Sequence, residues 1–112
     1  MPAATRYKLI FFTPVGQTQQ VLKALFTSLS PEIGSVGQIG LYNECAFVSG
    51  GKGQFRPMEG AKPAIGQVDE VEIVEEEKAE VVVNGGAEAV KRAIAELRKV
   101  GARTASVNAA EK

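Results

Sequence analysis

Twice in this chain a short run of branched and aromatic residues turns into an apolar stripe of helical spacing. That repeated strand-then-helix order constrains the fold more than any other feature. The first run, residues 7–12 (YKLIFF), is apolar on both faces, which predicts a central strand closed by Thr13-Pro14. Thr13 and Pro14 together suit a helix cap and first helical position, and Gly16 equally allows a later start near Gln17. Val21, Leu22, Leu25, Phe26 and Leu29 then recur on one helical face until Ser30-Pro31 stops it. In the second half, Val71 and Ile73 alternate with Glu70 and Glu72, and the pattern resumes at Val81-Val82-Val83. This predicts one long or bent strand, or two in succession, over 68–83, with Glu75-Glu76-Glu77 exposing its middle. Asn84-Gly85-Gly86 turns into a second helix whose inner stripe is Val90, Ala93, Ile94, Leu97 and Val100. Gly101 closes it.

Between the halves, Gly34 and Gly37 mark a turn, and residues 42–48 read as a strand with Cys45 and Phe47 on one face. A turn is expected at 49–53, with 54–56 returning as a short hairpin partner until Pro57. The result is an α+β chain of ferredoxin-like (split βαβ) type, a mainly antiparallel sheet with two helices on one face. At 112 residues and 45% hydrophobic, it is one domain with its own core. The expected division is a tail at 1–6, the domain at 7–100, and at 101–112 either a tail or a weak last strand.

Thirteen basic residues balance thirteen acidic ones, so no strong field favours nucleic acid. The first apolar run is too short for a secretory signal or a membrane span, which predicts a cytoplasmic protein, with a nuclear one as the alternative. There is no histidine, which removes the commonest general base and transition-metal ligand. Cys45 is the only cysteine.

Three segments carry a resemblance. They are YKLIFFTP at 7–14, IGLYNECAF at 39–47 and GKGQFRP at 51–57, the last continuing through EGAKPAIG at 59–66. Together they resemble the PII/CutA-like domain of the Nif-three-like (Ngg-one interacting factor three) family, over about residues 7–100. In that family the domain occurs alone or inserted in longer dimetal proteins. The resemblance implies a ferredoxin-like unit that assembles through its sheet, often as a trimer, with no settled activity of its own. The metal ligands of the long members lie outside this module, so none is carried over and no cofactor is expected. The His-Pro-Tyr-Glu-Glu-Pro segment that follows the second helix in the family has no counterpart here, where residues 100–108 read VGARTASVN.

Residues 50–70 hold five glycines and two prolines. They do not form a nucleotide fingerprint. Lys52 is followed by no serine or threonine, as a phosphate loop requires, and Arg56 stands where a dinucleotide motif needs its third glycine. Glycine amides beside cations do suit a small anion, which makes Lys52, Gly53 and Arg56 the candidate ligand residues. The competing reading is tight turns, with Arg56 paired to an acid such as Glu59. Glu70, Glu72, Glu76 and Glu80 share strand parity. Solvated carboxylates that keep an edge from aggregating are favoured over a hard-cation site. Cys45 reads as a small buried filler, since nothing nearby lowers its pKa, and Tyr7 and Tyr42 as sheet or interface residues.

The sequence therefore favours a non-enzymatic binding or regulatory module. It self-assembles through the edge of the 71–83 strand or of the 42–48 hairpin and senses an anionic ligand or a protein partner through residues 50–66. The alternative is a metal-dependent hydrolase-related protein using Asp69, Glu70 and Glu72.

Overall fold

The computed structural model of the chain describes residues 6–63 and 65–109, so residues 1–5 of the tail expected at 1–6, and residues 110–112 of the segment expected as a tail or weak last strand at 101–112, lie outside the described residues. The elements in order are β1 (Arg6–Pro14), α1 (Thr18–Phe26), β2 (Ser35–Val36), β3 (Phe47–Phe55), β4 (Glu72–Asn84), α2 (Ala87–Lys99) and β5 (Arg103–Ala109). All pairings are antiparallel: β1 lies between β5 and β4, and the far side of β4 carries both β2 and β3. Because β2 pairs with 83–84 and β3 with 72–80, they lie end to end, and the sheet is four strands wide. This is the split βαβ order expected from the sequence.

Strand alternation decides the two faces of the sheet. Leu9, Phe11, Ala79, Val81 and Val83 point one way and are buried with Val21, Leu22 and Leu25 of α1 and Ala89, Val90, Ala93 and Leu97 of α2. Both helices therefore cover this face. The opposite face, with Lys8, Ile10, Phe12, Lys78 and Glu80, has no helix over it. The wet side of α2 is held by a pair one turn apart: Arg92 donates to Glu88 at 2.9 Å, which keeps the Glu88 carboxyl below its ordinary value. Val100, expected in the inner stripe, lies past the helix end and is 39% exposed.

The first helix starts with no cap from Thr13. Gln17 occupies the N-cap without a side-chain bond, and the first turn carries no acid of its own. The charge comes from β4 instead: Thr18 donates to Glu77 at 2.5 Å, and its hydroxyl lies 2.5 Å from that of buried Thr13. A carboxylate there complements the partial positive charge of a helix start.

Two sequence expectations are corrected in the middle of the chain. The strand expected at 42–48 and the turn expected at 49–53 are replaced by one strand, β3, running through Ser49, Gly50, Gly51, Lys52 and Gly53. Glycine has low strand preference, but β4 presents a continuous ladder against which all nine residues of β3 pair. Cys45 accordingly sits in a loop, half-buried, with its amide bonded to the Gly37 carbonyl. The 68–83 segment begins its strand at Glu72 and continues unbroken for 13 residues. Since β1 ends at the Pro14–Glu76 pair, residues 72–75 continue with β3 alone as a two-stranded ribbon, and the molecule is 52 Å long by 25 Å. Ile73 on this ribbon is 58% exposed.

Candidate functional site: a glycine trough on the open sheet face

Directly paired residues in an antiparallel ladder face the same side. On the open face this lines up Phe12, Lys78 and Ser49 as one rung across β1, β4 and β3. Glu76 with Gly51, and Val74 with Gly53, form the next rungs of the same face. Three successive open-face positions of β3 are thus serine, glycine and glycine. The missing side chains leave a trough of about 380 Å³ walled by Phe12 and Lys78 and floored by residues 49–53. The Glu76 carboxylate lies over Gly53, where an added Cβ would collide with it.

The charges at the trough are loosely held. Lys78 Nζ lies 3.9 Å from Glu80 Oε2, whose other oxygen is 3.4 Å from Lys8 Nζ, and Lys52 Nζ lies 3.9 Å from Glu75 Oε1. Such exposed pairs contribute about 0–1 kcal/mol, so the Lys78 ammonium can turn to an incoming anion at little cost, whereas the Lys52–Glu75 rung has the opposite parity and Lys52 lines the trough through its backbone. Of the sequence candidates, Lys52 and Gly53 line the trough. Arg56 lies beyond the end of β3, exposed and outside the trough, with no ion pair to Glu59 among the described residues. Phe12, Ser49 and Lys78 were not singled out by the sequence. Their only signal there is parity, which becomes informative once the register between β1, β3 and β4 is known.

Glu80 pairs with Lys8 and Lys78, and β4 is flanked by β1 and β3 from Glu76 to Glu80, so the edge-protecting reading fails there; Glu72 lies on the stretch that β3 alone flanks. Glu70 precedes the strand. Among the described residues, no three His, Cys, Asp or Glu side chains gather where they could hold a metal ion. A second, apolar depression of about 290 Å³ lies between β4 and the 37–46 loop and includes Phe47, Cys45, Ile39 and Val82. No helix is long and apolar enough to cross a membrane, among the described residues.

No protein-family profile matches the chain. Individual relatives do. The "GTP cyclohydrolase 1 type 2 homolog" of Halalkalibacterium halodurans is 42% identical over 80 residues, covering 71% of this chain and 20% of that protein. The Bacillus subtilis protein of the same name is 43% identical over 75 residues, covering 67% of this chain and 18% of the relative. A crystal structure of a Bacillus cereus protein related to NIF3 superposes over 100% of this chain with a TM-score of 0.77 and 28% identity. This is a NIF3-like domain. The domain spans about a fifth of the length of its curated relatives and 27% of the B. cereus chain. Its α+β sheet with two helices agrees with that neighbour along its whole length.

Proposed function

We propose that this NIF3-like domain is a non-enzymatic binding module of PII/CutA type. In this reading it assembles with copies of itself through its sheet and takes an anionic ligand in the open-face trough. The observation that carries the reading is the trough itself: three successive open-face positions poor in side chains, beside the weakly held Lys78 and an aromatic wall. Glycine backbone, a phenyl face and mobile ammonium groups suit a planar ring bearing an acidic group. The relatives' name, GTP cyclohydrolase 1 type 2 homolog, makes GTP the first probe to use. The setting proposed is the cytoplasm, where the half-buried Cys45 thiol stays reduced.

The test is calorimetric titration of the purified domain with GTP and, separately, with inorganic phosphate. GTP binds in the expected outcome and is recovered unchanged. Lys78→Ala weakens binding about fivefold, the loss of one exposed charge-assisted contact. Absence of binding at millimolar GTP and phosphate removes the ligand part of the proposal. Conversion of GTP to any product replaces it with the enzymatic alternative.

A further inference from the structure

The floor of the trough carries a negative charge as well as glycines, and the fold places that charge. Glu76 pairs with Gly51, yet its side chain leans diagonally across to β3 and lays its carboxylate over Gly53. Gly53 has no positive φ, so no turn asks for glycine there. The close approach does. An added Cβ at Gly53 would meet the Glu76 carboxylate, whereas one at Gly50 or Gly51 would meet nothing within 4 Å. A strand glycine of this kind marks a place where another group comes close to the backbone.

The trough is therefore bipolar. A carboxylate acceptor lies at the Gly53 end, and the Lys78 ammonium rises from the Ser49 rung at the other. Gly53 and Ser49 are four residues apart on β3, which is about 13 Å along an extended strand. Between them the floor is bare backbone at Gly51, with the Phe12 ring as a wall. A small free anion fits this floor poorly, because the carboxylate repels it from one end. A compact zwitterion such as an amino acid fits poorly too, because only a few bonds separate its charges. The match is a longer molecule, with hydrogen-bond donors on a ring edge at one end and a phosphate at the other.

We propose that the trough reads a guanine nucleotide, with Glu76 as the residue that selects the base. The inference rests on the anionic-ligand reading above and names its ligand class. A carboxylate has acceptor oxygens and no hydrogen to offer, so it receives two parallel N–H donors. Guanine presents such a pair on one edge, its ring N1–H and its exocyclic 2-amino group. Hypoxanthine keeps the N1–H and lacks the amine. Adenine sets an acceptor nitrogen beside its amine, and that lone pair faces the carboxylate unfavourably. The carboxylate has lone pairs enough to keep a protein neighbour while it receives the base. With the base edge on Glu76, the ring lies over Gly51, where no side chain intrudes, and the phosphate reaches the Lys78 end across the ribose. A site that hydrogen-bonds one ligand group discriminates against analogues without it.

The experiment is calorimetric titration of the full chain with GTP, inosine triphosphate and ATP, which carry equal charge and differ at the base edge. GTP binds at least about tenfold more tightly than ATP, and inosine triphosphate falls between them. Glu76→Gln turns one acceptor oxygen into an amide donor. It lowers GTP affinity about tenfold and leaves ATP affinity unchanged or higher, since a glutamine offers adenine both a donor and an acceptor. Gly53→Ala displaces the carboxylate, a flexible side-chain end, and so narrows the preference for GTP while the melting temperature stays close to the parent's. Equal affinity for GTP and ATP, a preference for ATP, or an equal loss of both in Glu76→Gln overturns the base assignment and leaves the anionic-ligand reading standing. Binding of inorganic phosphate without binding of any nucleotide does the same. No binding of phosphate or of any of the three nucleotides at millimolar concentration overturns both.

Discussion

Gly34→Ala unfolds this domain at a temperature more than about 12 °C below that of the parent chain, a loss of about 3 kcal/mol or more. Gly34 has φ +154°, and its α-carbon packs against the backbone at the end of β4. A Cβ there would lie 2.0 Å from the Asn84 carbonyl oxygen and 3.1 Å from the Ala89 Cβ. Gly85 presses from the other side, with Ile33 O 2.3 Å and Gly34 Cα 2.9 Å from where its own Cβ would be. Neither obstacle is a flexible side-chain end, so relief requires β2 to move off β4. That movement breaks the bonds from Asn84 Nδ2 to Ser35 Oγ (3.1 Å) and to the Gln38 carbonyl (2.9 Å). Gly16→Ala is the internal control. Gly16 has φ +93° but open space around it, so it carries only the left-handed backbone cost of about 1–2 kcal/mol. Thermal unfolding of the two variants side by side checks the difference.

Phe11→Ala costs about 3–5 kcal/mol, a large share of the 5–15 kcal/mol that holds a domain of this size together. Phe11 is fully buried in the central strand, under both helices, and is among the largest side chains so enclosed. Its sequence neighbour Phe12 is the same residue type on the opposite face, only partly buried and lining the trough. Phe12→Ala therefore leaves folding much closer to the parent while removing the aromatic wall of the ligand site. Urea titration of both variants, read with the GTP titration, separates the two faces. Equal destabilisation by the two substitutions contradicts the assignment of one core face and one open face.

What was legible in the sequence is what hydrophobic periodicity encodes. The β1 run, the α1 stripe through Leu25 and the α2 stripe through Leu97 each bury a large apolar face, and their spacing names both element and orientation. β3 leaves no such trace. Its middle residues, Ser49 to Gly53, have turn-like composition, and their strand conformation comes from the β4 ladder beside them, a long-range partner that local propensity does not register. The same blind spot moved Cys45 from a strand to a loop. Lys52 and Gly53 were found because glycine beside a cation is a chemical signal on its own. Lys78 and Phe12 were missed because they join the site through register, and Arg56 was included because proximity in sequence mimics proximity in space until a strand end intervenes.

Both the trough and self-assembly require the glycine segment to be an edge strand, bound on its inner side and open to a partner on its outer side. Amide hydrogen exchange at Ser49 through Gly53, followed by NMR from a few micromolar to several hundred micromolar protein, reads both properties at once. Alternate amides of this segment are protected at every concentration, and the intervening ones gain protection as concentration rises. Uniformly fast exchange throughout the segment means a loop, and alternate protection that ignores concentration means an edge that no second copy covers; either result contradicts the account.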